Sequence, residues 1–573
     1  MQGIRESRPL KQFSAILKDP LLAIVLLFLV LFVVIAVLLP IASMIGESIS
    51  EEGLPLFRRY LADPVYQTIL VNTLVLGVLV GLIGTGAGFA FAFVQVKLNV
   101  PFKRFMHLVA LVPVISPPFA LATAAIVLFG RNGTVSRGIF GVRYDIYGLD
   151  GLVLVMALSF FTIAYFNIRG MMEALDPALD EAATNLGANK WRVFRTVTLP
   201  MLFPGIASSF LLLFVEAIAD LGNPLVLGGN YEVLATRIYV TIIGLYNTVG
   251  AAALSVILLV PSLLVFVVQR YWISRISVVS VTGKPSGTPQ TINHPLVRWP
   301  LFGLVMLICL GIVLIYGTII HGAFVHVPGV RWDWTLDHFD FVVNGLGAQA
   351  MRDTTVLSAI ATPMAALIGI LIAYFVVRKE FLGRNLLDFS AMLGIAVPGT
   401  IIGIGYLVAF NTPIMLGGIT LIPKLTGGQG AFGGALAIVL VYITRSVPAA
   451  LRSGTSALSQ IDPSIEEASV SLGADSARTF RRITLPLIRP ALLAGLIYSF
   501  ARSMTTISAI IFLTTPQTKI MTQQILNEVE NGRYGNAFAY CVILIVIVML
   551  AIGVLYALVG GQTGAERRLE GGR

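Results

Sequence analysis

The sequence predicts an all-α polytopic membrane protein with about 12 transmembrane helices, arranged as two six-helix halves that repeat in parallel. Three observations predict it. The chain is 57% hydrophobic and 12% charged, with a mean hydropathy of +0.88, well outside the range of soluble domains. Apolar stretches recur along its 573 residues, each about 20 residues long and so able to cross a hydrocarbon core of about 30 Å. Finally, one 24-residue segment occurs twice. Residues 181–204 read EAATNLGANKWRVFRTVTLPMLFP and residues 467–490 read EASVSLGADSARTFRRITLPLIRP, 286 positions apart, without a gap and identical at 12 positions. Repetition at half the chain length means two fused copies of one folding unit.

The elements follow in order. The first apolar run, Leu21 to Met44, comes after a basic head with Arg5, Arg8, Lys11 and Lys18. It is too long for a signal h-region and lacks a small-x-small cleavage site, which predicts a retained first helix. Further spans are expected near 66–96, 107–130, 151–168, 205–227 and 238–268, then near 299–321, 353–377, 388–411, 431–448, 491–513 and 534–560. The first half is residues 1–270 and the second 299–573. Between them, residues 271–298 are rich in Gly, Pro, Ser and Thr and read as a flexible linker.

Charge orients the spans. Lys97, Lys103, Arg104, Arg378, Lys379 and Arg384 share a side with the N-terminus, both repeated loops and the tail carrying Arg567 and Arg568. The positive-inside rule makes that side cytoplasmic, with both termini on it. Glu47, Glu51, Glu52, Asp145, Asp150, Asp333, Asp337 and Asp340 lie opposite. The halves also correspond outside the loop: at an offset of 281, Asn72-Thr73 falls on Asp353-Thr354, Pro117 on Pro398 and Phe129 on Phe410. Both halves begin on the same side, so the repeats are related by an axis along the membrane normal.

The repeated loop carries its own folding signals. Asp176-Pro177 and Asp462-Pro463 each place an N-cap acceptor before a proline at the first helical position. Asp180-Glu181 and Glu466-Glu467 fall where the helix dipole favours negative charge. Gly187 and Gly473 end the short helix, and Asn189 and Asp475 restart one. Leu199-Pro200 and Leu485-Pro486 lead into the next span. Each loop is thus two helices at an angle. Capping alone does not require Glu, Ala, Gly, Phe and Leu-Pro in matching register twice.

Other functions find little support. The net charge of +10 is spread over the ends of apolar segments rather than along one stripe, so no nucleic acid is expected as a partner. Cys309 and Cys541 both lie in apolar stretches, which excludes a disulfide framework or a zinc knuckle. The Gly81–Gly88 run lacks the lysine of a phosphate loop. No catalytic constellation stands out, so a membrane enzyme is disfavoured, and a secondary transporter needs no large duplicated cytoplasmic loop.

The pattern Glu-Ala-Ala, three residues, Gly, nine residues, apolar-x-Leu-Pro resembles the EAA loop of permease subunits of bacterial ABC importers. Glu181-Ala182-Ala183, Gly187, Val197, Leu199 and Pro200 fit it; Glu467-Ala468, Gly473, Ile483, Leu485 and Pro486 fit with Ser469 in the third place. With both loops on one polypeptide, the chain resembles the ferric iron permease family, and residues 215–239 add to that likeness. The resemblance implies a type I importer-like fold. It also implies a homodimer of a cytoplasmic ATPase that holds ATP and Mg and receives both short helices, and a periplasmic binding protein that delivers substrate across the inner membrane of a bacterium. The ATPase-coupling residues would be Glu181, Ala182, Gly187, Leu199, Pro200, Glu467, Ala468, Gly473, Leu485 and Pro486. No cofactor is expected on this chain itself. Related permeases also serve phosphonates, thiamine and other small solutes.

Charge inside the spans is the remaining signal, because it is expensive in lipid. Glu216 and Asp220 lie four apart in the fifth span, and the 286 offset sets them against Arg502 and Thr506. They could line a translocation pathway whose carboxylates hard cations tolerate, or Glu216 and Arg502 could neutralise each other as a structural pair. His321, His326 and His338 have no metal-site spacing, and Tyr231 and Tyr246 read as interface aromatics.

Overall fold

The computed structural model describes residues 19–272, 291 and 294–560. The basic head, most of the linker 271–298, and Arg567 and Arg568 lie outside the described residues. Nine described helices are long and apolar enough to cross a membrane, and three further pairs of helices, each bent at a break, bring the number to 12 if each pair is one span. Two short antiparallel hairpins, Val325–Val327 with Arg331–Trp334 and Ile414–Leu416 with Ile419–Ile422, are the strands among these residues.

Several expected spans are interrupted. Those near 107–130 and 388–411 are each two helices, Lys103–Ile115 with Phe119–Phe129 and Arg384–Ala396 with Gly399–Phe410, both bent by 108°. The cause is Pro117 and Pro398, which stand at equivalent repeat positions. A proline disfavours helical geometry in the residue before it, and Ser116 (ψ 154°) and Val397 (ψ 131°) are extended. In the second half the buried Arg445 guanidinium donates to the carbonyls of Val397 (2.9 Å) and Gly394 (3.4 Å). A cation there satisfies carbonyls that a helix end leaves without partners. Elsewhere, the span expected to 227 stops at Ala219, and that expected to 513 stops at Thr505. Residues 238–268 divide into Leu234–Ile243 and Thr248–Val267, around a turn where Tyr246 has φ +52°.

The helices group into two compact units, and these do not follow the sequence halves. Of the described residues, one unit contains 51–272, 291, 294–345 and 524–542; the other contains 19–50, 346–523 and 543–560. The first helix of each half therefore belongs with the body of the other half. In the second unit the reason is visible in Pro20–Ser48. Pro40 has no N–H to give the carbonyl of Ala36, and the buried Tyr406 hydroxyl donates to that carbonyl at 2.8 Å. Gly405 lets the two backbones approach, since a Cβ there would sit 2.6 Å from the Pro40 oxygen. In the first unit Pro295–Gly322 is held by Tyr316, whose hydroxyl is hydrogen-bonded to that of Ser116.

Within the first unit, the long helix Pro64–Lys97 packs on Leu149–Ala174 and Leu199–Ala219 through small residues. A Cβ on Gly88 would lie 2.6 Å from that of Ala164 and 2.7 Å from the Tyr165 nitrogen. The Gly81–Gly88 run is thus a packing face, where small side chains let helix backbones come close. The counterpart helix Ala348–Arg378 keeps Gly369 at the matching place, 2.6 Å from the Ala450 Cβ by the same measure.

Candidate functional site

The repeated loops fold as two nearly identical devices. Pro177–Asn185 is capped by Asp176, which accepts from the Ala178 N–H at 3.0 Å. Ser464–Ser471 begins after Asp462, which accepts from the Ser464 N–H at 2.9 Å. The backbone N–H and hydroxyl of Ser464 hold the exposed Asp462 carboxyl below its ordinary value. Both helices end on a left-handed glycine, Gly187 at φ +85° and Gly473 at φ +84°. A Cβ at either position would meet nothing within 4 Å, so glycine is needed there for its backbone alone. Asn189 and Asp475 then cap the next helix through the N–H groups of Arg192 and Arg478.

Those next helices contain the Leu-Pro pairs. Phe194–Thr198 and Phe480–Thr484 are single π turns, in which the N–H of Leu199 reaches back to Phe194 and that of Leu485 to Phe480. Pro200 and Pro486 follow directly, and the wide turn accommodates prolines that cannot donate to the preceding turn.

Glu181, Ala182 and Gly187 are exposed, as are Glu467, Ala468 and Gly473. Beside them stand apolar side chains with no cover: Leu186 and Leu472 are each 89% exposed, and Leu179 and Ile465 each 43%. The pairs are 286 apart, so both loops show the same face of charge and uncovered leucine.

The inward face carries a feature that sequence reading missed. Lys97 Nζ meets Asp180 Oδ2 at 2.8 Å, and Arg378 Nε meets Glu466 Oε1 at 3.1 Å. The four side chains are only 7–14% exposed. Thr198 donates to Asp180 at 3.3 Å and Thr484 to Glu466 at 3.0 Å, and Arg378 also holds the Ile461 carbonyl at 2.9 Å. Sequence position alone places Asp180 and Glu466 at a helix dipole and Lys97 and Arg378 at the cytoplasmic ends of spans. The signal lay in the offsets: 281 carries Lys97 onto Arg378, and 286 carries Asp180 onto Glu466 and Thr198 onto Thr484. Removing one member of a buried pair leaves an uncompensated charge, at a cost of about 3–5 kcal/mol.

The two carboxylates of the fifth span are arranged differently from expectation. Glu216 is half-buried in the last turn of Leu199–Ala219, but Asp220 lies beyond the helix end. The Asp220 carboxylate accepts from the Asn223 N–H (3.1 Å) and side-chain amide (2.7 Å), and so starts the short helix Gly222–Leu227. Glu216 and Asp220 therefore do not share one continuous helical face. Arg502 is half-buried near the end of Arg489–Thr505, and the carbonyl of Thr506 accepts from the Thr522 hydroxyl at 2.9 Å. Glu216 and Arg502 belong to different compact units.

The first unit also has an open cleft of about 810 Å³ lined by Arg131, Asp145, Tyr147, Tyr231 and Tyr534 among others. Burial pushes the Tyr147 phenol above its ordinary value. His338 has Nδ1 against Asn536 Oδ1 (2.7 Å) and Nε2 against the Val325 carbonyl (3.0 Å), so both ring nitrogens serve the fold. Among the described residues, no three His, Cys, Asp or Glu side chains are placed to hold a metal ion.

Comparison with known proteins resolves what such a pair of loops belongs to. The family described as binding-protein-dependent transport system inner membrane component matches residues 77–278 and again 365–562. The chain belongs to that family. It is a permease subunit of an ABC-type import system, with both family domains on one polypeptide. The matches begin inside Pro64–Lys97 and Ala348–Arg378, so the first helix of each half, the one that joins the opposite unit, lies outside the matched domain. The permease is 36% identical over 524 residues, 88% of its length and 73% of the relative's, to the ferric transport system permease protein FbpB of Actinobacillus pleuropneumoniae. It is 34% identical to FbpB 1 of Haemophilus influenzae over 481 residues, covering 81% of this chain and 72% of the relative. A relative with a shorter match is the molybdenum transport system permease protein ModB of Escherichia coli, 29% identical over 224 residues, 38% of this chain and 96% of ModB.

Proposed function

We propose that the permease carries ferric iron into the cytoplasm, receiving it from a periplasmic binding protein and driven by a homodimer of ATPase subunits. Each ATPase takes one docking helix into a surface cleft, and ATP and Mg reside there rather than on this chain. The permease lies in the bacterial inner membrane with both termini and both docking loops cytoplasmic.

One observation carries the coupling reading: the same uncovered leucine stands beside the same glutamate on both docking helices. An apolar side chain left 89% exposed on a polar helix is unfavourable in water and favourable in a partner's cleft. Two equivalent faces suit two copies of one partner. The cargo reading rests on the ferric transport relatives, while the likeness to ModB makes an oxyanion the competing cargo.

The test is uptake into proteoliposomes containing the permease, its ATPase and its binding protein. ATP-dependent uptake of labelled ferric iron, with none of molybdate, is expected. Molybdate uptake without ferric uptake would overturn the cargo.

A further inference from the structure

Each docking helix is joined through short turns to the ends of two longer helices. Here each is also fastened along its length. Asp180, on the inward side of Pro177–Asn185, is bonded to Lys97 at the end of Pro64–Lys97 and to Thr198 in the π turn that opens the fifth span. Glu466 repeats this with Arg378 and Thr484. Each carboxylate therefore joins three elements: the docking helix, the inner end of the second span of its half, and the entry to the fifth.

In the first half the joined helices are packed closely against one another. Pro64–Lys97 packs through Gly77, Gly81 and Gly84 on Phe214, Phe210 and Leu213 of Leu199–Ala219, at distances that leave no room for a Cβ. A displacement applied to the docking helix thus reaches a rigid pair of spans through one carboxylate. Without that bond the helix keeps its flanking turns, at Asp176 and at the left-handed Gly187, and its packing on Lys190–Val193 and Phe194–Thr198, but loses its ion pair to Pro64–Lys97.

We infer that Lys97–Asp180 and Arg378–Glu466 are positioning pairs that transmit docking-helix movement to the spans, one in each half. This rests on the docking reading above but adds a separate claim: the contact with the ATPase belongs to the exposed face, and transmission belongs to the buried one. The chemistry is suited to the task. A charge-assisted hydrogen bond shielded from water is short and directional, and it resists being stretched more than an exposed pair would. The halves use different ions, Lys–Asp and Arg–Glu, in the same place, so the arrangement rather than one particular side chain is what recurs.

The experiment uses the whole transporter, permease with ATPase and loaded binding protein, in proteoliposomes. Three quantities are read: ATPase retained on the permease, ATP hydrolysed, and cargo imported per ATP. For the Asp180→Asn, Glu466→Gln variant, ATPase retention should stay within about twofold of the parent, while cargo per ATP falls about tenfold, as expected when a coupling free energy between sites is lost. The reversed pair Lys97→Asp, Asp180→Lys should recover part of the first half's loss, as expected if the ion pair, and not either side chain alone, is what acts. If the neutral variant does not accumulate, Thr198→Val with Thr484→Val removes one bond from each node and should lower cargo per ATP about two- to threefold. Unchanged cargo per ATP, or a loss that only follows lost ATPase retention, would overturn the inference. A parent permease that retains no ATPase would instead overturn the docking reading itself.

Discussion

In the first half, the helix that begins at Lys190 continues to Ala219; in the second, the corresponding helix from Ser476 stops at Leu487 and resumes at Arg489, turned by 76°. Up to the Leu-Pro pair the two loops are alike in caps, left-handed glycine, ion pair and π turn. The prolines do not explain the divergence, because Pro204 and Pro490 are also equivalent. What differs is the support after them. Asn167 donates to the Gly205 carbonyl (3.2 Å) and the Ser209 hydroxyl (2.9 Å), and the Met171 sulfur lies where a Gly205 Cβ would be. At the matching places the second half has Ser453, Ala457 and Ala491. The repeated motif thus dictates the docking device, while neighbouring helices dictate how the chain leaves it.

The severest way to break the equivalence is at the packing glycines the halves share. Gly88→Leu and Gly369→Leu should each abolish a stable fold, since both Cβ positions run into backbone and overpacking of this kind costs about 1–3 kcal/mol or more. Size-exclusion profiles of fluorescently tagged variants in detergent would show it. Next come the exposed faces. Glu181→Ala with Glu467→Ala, or Gly187→Val with Gly473→Val, should cut ATP-driven uptake about tenfold or more while the permease still inserts. The valines act by imposing about 1–2 kcal/mol each on a left-handed turn. Normal uptake in the double glutamate variant would remove these residues from coupling.

A subtler exchange sharpens the comparison. Gly81 faces Phe210, whose ring would lie 2.9 Å from a Cβ, whereas the second half has Thr362 and Leu496 at these places. Gly81→Thr should destabilise the permease, and adding Phe210→Leu should restore much of the loss. Additive losses in thermal unfolding would show that the two positions do not compensate. The smallest effect is expected from Asn167→Ala, which removes two hydrogen bonds worth about 1 kcal/mol each. It should lower the melting temperature by a few degrees and leave ATPase retention intact.

Much of this was legible in the sequence, and for identifiable reasons. Caps such as Asp176, Asn189 and Asp475 act within three residues, so local order reveals them. Gly187 and Gly473 were readable because a helix stop depends on one residue's backbone. The span count survived because hydropathy is additive along the chain. The breaks at Pro117 and Pro398 were hidden by the same additivity: both sides of each break are apolar, and no hydropathy sum sees a turn. Asp220 appeared to share a helical face with Glu216 because periodicity assumes that the helix continues. The ion pairs Lys97–Asp180 and Arg378–Glu466 span 83 and 88 positions, beyond any local rule, although the repeat itself marked both partners. The exchange of first helices was likewise invisible, since it depends on which body Tyr406 and Tyr316 help to form.

The central claim is that the two exposed helix faces receive the same ATPase, and site-directed cross-linking tests it most directly. Cys309 and Cys541 are buried, so single cysteines in place of Leu186 or Leu472 would be the reactive thiols on the docking loops. In membranes containing the assembled transporter, each should cross-link to an ATPase subunit, and both links should weaken when Glu181 and Glu467 are replaced by alanine. Absence of both links in a transporter that still imports its cargo would contradict the account.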